Sequence, residues 1–355
     1  MVTTGRRGAL LGAAASPLLH RAAASAPPLS PPPASALYRR GPVPIGLMTG
    51  EPDGTFIRIG NDIAVVLDSP DLRILPIIGK GSVQNLLDLL DVRGVDLALA
   101  ASDALIAGAR KISDLPSRVQ YIAKLYDQEV HVLGAPGIDT LEDLKGKRVN
   151  VDVIGSGTAM TANIIFHLLG LQVQQVNETP AKGVELLRKG DVSAVVYEIG
   201  KPGRLFLDGS FPAGSRLLPV PLSNGLEATY LPGRFTHADY PSLVPEGQSV
   251  DTIAVPVVLA CYAWPRSSER YEKLSRFVAQ FYASFAKLLQ PPHHAKWKEV
   301  NLAAQIPNWT RFPAASELLA RSASASQFET FLEEKKLNLS PEERRQIISE
   351  FLKTR

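Results

Sequence analysis

Apolar positions recur along this chain with two alternating periods. From Val43 the run Ile45-Gly46-Leu47-Met48 is strand-like, and after the turn Gly50-Glu51-Pro52-Asp53-Gly54-Thr55 the residues Phe56, Ile59, Ile63, Val66 and Leu67 fall at helical spacing. Leu72 to Ile78 predicts a short strand. Ser82 to Val92 predicts a helix with Val83, Leu86, Leu87 and Leu90 on one face, Gly94 is its stop, and Val95 to Ala100 reads as a buried strand. Strand, helix and strand in succession imply a largely parallel sheet with ligands at strand C-termini. A second unit has the same form. Thr140-Leu141-Glu142-Asp143 starts a short helix that Gly146 ends, Arg148 to Val153 is a strand, and Gly155-Ser156-Gly157-Thr158 opens a helix through Leu169. Thr179-Pro180 then caps a helix to Lys189, Gly190 stops it, and Val192 to Tyr197 is again a strand.

Because helix, glycine and apolar strand recur in both stretches, the expected fold class is α/β with two similar lobes. The apolar runs Val130 to Leu133 and Val255 to Cys261 stand where the chain would cross between them. Two crossings make a hinge with a cleft, a usual place for ligand binding. The expected division is a first lobe over 45–130, a second over 131–257, and completion of the first with C-terminal helices over 258–355. Tyr271, Leu274, Phe277, Val278, Phe281, Phe285 and Leu288 mark one amphipathic helix, and Ser340-Pro341-Glu342-Glu343 starts the last.

At 355 residues, 45% hydrophobic and 21% charged, the chain has the composition of a globular protein with an ample core. Its formal charge of +3 resides in Arg6, Arg7 and Arg21, so the remainder is neutral and offers no electrostatic case for nucleic acid. Residues 1–26 read as an export signal: Arg6-Arg7, an apolar stretch Gly8 to Leu19 too short to span a bilayer, and Ala24-Ser25-Ala26 as a cleavage site. The adjacent arginines resemble a twin-arginine signal, with a general secretory signal as the alternative; either implies a periplasmic protein. Residues 27–44 are Pro-rich and read as a linker. No later segment reads as a membrane span. Cys261 is the only cysteine, so an intrachain disulfide is excluded and a small buried side chain is expected.

The chemistry on offer is that of helix starts. Asp53-Gly54-Thr55 and Gly155-Ser156-Gly157-Thr158 each follow a strand, and unpaired N–H groups at such starts hold small anions. The same residues also serve as ordinary caps. Asp103 reads either as a cap after the strand ending at Ala100 or as a ligand contact, Asn85 as a contact or a backbone bonder, and Tyr197 as a contact or a core residue. Catalytic patterns are missing. The mature histidines are scattered apart from His293-His294, no His-Glu-x-x-His occurs, and Ser156 is out of register for a nucleophile elbow. Gly79-Lys80-Gly81-Ser82 and Gly155-Ser156-Gly157 both fail as nucleotide loops. No cofactor and no metal are expected.

Several motifs occur together in order: Gly54-Thr55-Phe56 with Ile59-Gly60, Gly81-Ser82-Val83-Gln84-Asn85, Val95-Asp96-Leu97 with Ser102-Asp103, Leu141 to Val149, and Gly155-Ser156-Gly157-Thr158. Over roughly residues 45 to 320 the chain thereby resembles TAXI-type solute receptors, the extracytoplasmic binding proteins of tripartite ATP-independent periplasmic (TRAP) transporters. The resemblance implies a type II periplasmic-binding-protein fold, ligand held between closing lobes, and delivery to membrane permease subunits. It implies a pocket built from Gly54, Thr55 and Phe56 on one lobe and Gly155, Ser156, Gly157 and Thr158 on the other, with Asn85, Ser102 and Asp103 at the cleft edge; Tyr197 joins them from its place at a strand end. The family's usual tyrosine pair is Phe56-Ile57 here, its Glu is Gln84, and its Gln is Ala101, so polar groups are lost from the cleft. The expected ligand is a small organic anion, carboxylate or amino-acid-like. A ligand-sensing protein docking on a membrane receptor, and an enzyme on the same fold, are the alternative functions.

Overall fold

The computed structural model describes residues 43–334 apart from Gly209 and Asn224, the last ten by backbone alone, together with residues 340, 342, 343 and 345–347. The expected leader, all of the Pro-rich stretch before Val43, and Pro341 of the final helix start lie outside the described residues. Ser340 and Glu343 of that start do pair: the Ser340 N–H donates to Glu343 Oε2 at 2.9 Å, and the Glu343 N–H donates to Ser340 Oγ at 3.3 Å.

The first half runs β1 (Val43–Met48), α1 (Thr55–Leu67), β2 (Leu72–Ile77), α2 (Ser82–Asp91), β3 (Val95–Ala101), α3 (Ala104–Ala109) and α4 (Leu115–Arg118). A long β4 (Val119–Gly134) leads to β5 (Arg148–Asn150), α5 (Gly157–Leu168), β6 (Gln174–Val176), α6 (Pro180–Lys189), β7 (Ala194–Ile199), α7 (Arg204–Asp208), β8 (Arg216–Leu217) and β9 (Leu231–Thr236). A long β10 (Ser249–Tyr262) returns, followed by α8 (Glu269–Leu288) and α9 (Pro313–Glu334).

The strands form one sheet in the order β2-β1-β3-β10-β4-β7-β5-β6, with β8 beside β4 and β9 beside β10. β1 is parallel to β2 and β3, and β5 is parallel to β6 and β7. β4 and β10 are antiparallel to each other and to their other neighbours. Each serves both halves. β10 lies beside β3 over Val257–Cys261 and beside β9 over Ser249–Ala254, while β4 meets β7 only over Glu129–Gly134. The switch comes near Gln128–Val130 and Ala254–Val257, where the register of β10 on β4 shifts between Pro256 and Val258. The chain is thus a two-lobed α/β protein with a cleft at a two-strand hinge.

Both crossing strands exceed the apolar runs that predicted them, because the sequence alone gives no reason to extend a strand through Lys124, Asp127, Gln128 and Glu129. Lys124, Gln128 and Glu129 are buried and partnered, Lys124 with Asp127 at 2.8 Å, Gln128 with Glu198 at 2.7 Å and Glu129 with Lys296 at 2.7 Å. The helix expected after Thr140 is a single 3₁₀ turn, Glu142–Leu144, whose cap forms nonetheless through Asp143 and Thr140. The strand expected over Arg148 to Val153 ends at Asn150, before Asp152 turns left-handed at φ 72°.

Helix α1 turns Phe56, Ile59, Ile63 and Leu67 inward, where they share one core with Leu274, Phe277 and Phe281 of α8 and Leu97 and Leu99 of β3. Each such side chain contributes about 1.5–3 kcal/mol on burial. A second core joins Val149, Ala162, Ile165, Phe166 and Val196 beneath α5. These two cores fix the starts of α1 and α5 against the sheet, and so aim them.

Candidate functional site

Helices α1, α2 and α5 begin at one slot between the lobes. Its walls are Gly50, Glu51, Gly54, Thr55 and Phe56 from the first turn, Lys80, Gly81 and Ser82 from the second, and Ser156, Gly157 and Thr158 from the third, closed by Gln128, Asp152, Tyr197, Glu198 and Ile199. The cavity holds about 50 Å³. A wider vestibule of about 480 Å³ continues past Glu51 and Tyr197, walled by Asp53, Thr179, Pro180, Val184 and Leu205 among others.

Local backbone chemistry builds each wall. The Gly54 N–H donates to the Glu51 carbonyl at 3.0 Å, closing the turn that precedes α1. Gly81 enters α2 at φ 93°, and Ser82 after it is also left-handed at φ 27°, with its Oγ accepting from the Ala101 N–H at 3.2 Å. Ser156 caps α5, its Oγ accepting from the Ala159 N–H at 3.1 Å. The first N–H groups of an α-helix have no partner within it, so three helix starts present donors and partial positive charge to one small volume.

The lobes approach closely at Gly157. A Cβ there would stand 2.6 Å from Ser82 Oγ of the opposite lobe. Thr55 reaches across as well, its Oγ1 donating to the Gly200 carbonyl at 3.5 Å.

Of the residues singled out by sequence, Gly54, Thr55, Phe56, Ser156, Gly157, Thr158 and Tyr197 stand together in the slot. Thr158 has its oxygen committed, accepting from the Glu198 N–H at 3.1 Å. Gly155 supplies a left-handed turn at φ 92° without facing the slot. Asn85 lies behind it and is wholly buried: Nδ2 donates to the Thr49 and Leu99 carbonyls, both at 2.7 Å, and Oδ1 accepts from the Gly81 N–H at 3.1 Å. Asn85 therefore sets the entry into α2. Ser102 uses its carbonyl to accept from Trp309 Nε1 at 3.0 Å. Asp103 precedes α3 without capping it, and its Oδ2 faces Thr161 and Tyr230 instead.

Glu51, Ser82, Gln128, Asp152 and Glu198 line the slot and were not singled out. Ser82 belongs to a motif already marked. Glu198 carries a faint signal, a carboxylate directly after the expected strand Val192 to Tyr197.

Carboxyl groups dominate the slot's charge. Burial pushes Glu198 up to about 8, reinforced by neighbouring Asp103, and burial likewise pushes Asp152 and Asp103 up to about 6 each. Burial also raises the Tyr197 hydroxyl. Lys80, exposed at the rim, is the cationic side chain among the slot's residues.

The sequence pattern of the NMT1-like family matches residues 47–272. Among solved structures, the ligand-binding component of an ABC-type import system from Staphylococcus aureus is similar over 78% of this chain and 84% of that one, at 11% identity and a TM-score of 0.45. The alkanesulfonate-binding protein SsuA from Xanthomonas axonopodis pv. citri, bound to MOPS, is similar over 82% and 94%, at 18% identity and a TM-score of 0.41. The GluR0 ligand-binding core from Nostoc punctiforme, in complex with L-glutamate, is similar over 70% and 97%, at 15% identity and a TM-score of 0.40.

Proposed function

The chain belongs to the NMT1-like family, and we propose that it is an extracytoplasmic solute-binding receptor that captures a small organic solute between its lobes and passes it to a membrane permease. The described residues of 45–130 and 258–355 form one jaw in this reading, and those of 131–257 the other. The observation that carries it is the convergence of the α1, α2 and α5 starts, two from one lobe and one from the other, on a single slot. The resemblance to TAXI-type receptors makes the permease one of the TRAP type, and the basic N-terminal segment directs the chain to the periplasm.

Capture needs movement. Sites that enclose organic ligands run to about 300 Å³ or more, against about 50 Å³ in the slot alone, so the solute reaches the helix starts in an open form and the hinge closes on it. The slot's charge selects within the carboxylate class. A carboxylate suits the helix starts, whereas a second anionic group would meet Glu51 and Asp152. An ammonium group is favoured at that end, which makes the solute an amino-acid-like zwitterion.

A thermal-shift screen of the chain against amino acids and dicarboxylic acids tests this. Saturation at a hundredfold excess over Kd stabilises by about 2.7 kcal/mol, or roughly 5 °C in a protein of this size. At least one zwitterion is expected to raise Tm by that amount. A panel in which dicarboxylates alone do so would overturn the zwitterion, and no shift from any member would count against solute capture of this class.

A further inference from the structure

Behind the slot, a chain of buried polar groups links the lobes, and its hydrogens do not suffice for its acceptors. Thr161 Oγ1 lies 2.9 Å from Asp103 Oδ2 and 2.8 Å from Glu198 Oε2. A threonine hydroxyl has one hydrogen, so it donates to only one of those carboxyls. Tyr230 gives its own hydrogen to Asp103 Oδ2 at 3.1 Å. On the far side, Gln128 Nε2 donates to Glu198 Oε1 at 2.7 Å. One of the two contacts of Thr161 is thus left oxygen to oxygen with no hydrogen between, unless one of the carboxyls carries a proton itself. The three central residues are each no more than 6% exposed.

We propose that Asp103 and Glu198 share one proton through Thr161, and that this proton latches the two lobes together. With the proton on Glu198 Oε2, every bond has a hydrogen: Glu198 donates to Thr161, Thr161 donates to Asp103, and Tyr230 donates to Asp103. Asp103, which follows β3, is the first lobe's member of this chain, while Thr161 of α5, Glu198 of β7 and Tyr230 belong to the second. Loss of the proton reverses the arrangement. Thr161 then turns its hydrogen to Glu198 within its own lobe, Asp103 loses a donor, and two like charges face each other across the cleft.

The surroundings favour the protonated form. Asp152 and Asp103 add negative charge near Glu198, and the Tyr126 hydroxyl of β4 offers no compensation. The ion pairs of the described residues leave both carboxyls out; the buried Lys296 is committed to Glu129 and Glu299. Burial moves the proton's release up to about pH 8, well above an ordinary glutamate. The folded form therefore binds a proton that the unfolded chain has lost. That advantage is complete below the ordinary glutamate range and disappears as pH rises through about 8. His131, buried and pushed down to about 3, gives the opposite slope below about 6.5, so the clean window is pH 6.5–8.

Two measurements on the full chain without solute test the latch, and neither depends on the identity of the ligand. Denaturant titration of the wild type is expected to show the folding constant falling about tenfold per pH unit across that window and levelling off above it. Small-angle scattering should show the radius of gyration growing between pH 6.5 and 9. Glu198→Gln supplies a permanent donor to Thr161 and keeps the acceptor for Gln128. It should remove the slope and stay compact at both pH values, and Asp103→Asn, which removes the opposing charge but not the burial, should move the slope to lower pH. A wild type without the slope overturns the shared proton, as do variants whose slopes parallel it. A slope with no change in radius overturns the latch.

Discussion

The hydroxyl of Thr158 looks outward in the sequence, as part of a helix start that meets a ligand, but its oxygen accepts from the buried Glu198 N–H. Thr158→Val should therefore cost about 1–3 kcal/mol of stability by stranding that donor, read as a lower urea midpoint; an unchanged midpoint would contradict the bond. Thr55→Val removes only a long contact of 3.5 Å to Gly200 and should cost less. Helix-start chemistry is local, which is why Gly54, Thr55, Ser156, Gly157 and Thr158 could be read from spacing. Gln128, Asp152 and Glu198 could not. Their roles depend on partners such as Glu198 for Gln128, 70 positions along the chain, and on burial that a charged residue in an apolar run does not announce. Asn85 and Asp103 stood open between two readings. Three backbone bonds commit Asn85 to shaping α2, whereas Asp103 takes up Thr161 and Tyr230.

Among the elements, the repeated strand-helix units were legible where a helix such as α1, α2 or α6 shows one apolar face and a strand such as β1 or β7 carries an apolar run, whereas β6, Gln174-Gln175-Val176, carries none and was not anticipated. The crossing strands β4 and β10 were legible only in part. Their polar stretches make sense once Glu129 meets Lys296, a residue 167 positions further on that is 1% exposed. Burial raises the Glu129 carboxyl while Lys296 pulls it back, so the pair depends on both members. Lys296→Met is expected to leave an uncompensated charge beside the hinge and to cost about 3–5 kcal/mol, measurable by denaturant titration. Loss of under 1 kcal/mol would mean that Glu129 simply takes up a proton without penalty. α8 and α9 cover the first lobe after the chain has returned along β10, so the second lobe is an excursion in the chain.

At the scale of the whole molecule, everything turns on relative movement of the lobes. The close approach of Gly157 to Ser82 leaves no room for a Cβ, since Ser82 Oγ is held by the Ala101 N–H and would stand 2.6 Å away. Gly157→Ala should thus fold normally yet resist closing, and bind solute at least tenfold more weakly. Small-angle scattering of the wild-type chain at pH 9, where the proton between Glu198 and Asp103 is released, with and without a saturating amount of the amino acid that most raises its Tm, tests the account most directly. The account predicts a smaller radius of gyration on addition of the amino acid in the wild type and no such contraction in Gly157→Ala. A wild-type chain that binds the amino acid with no change in radius would contradict capture by closure.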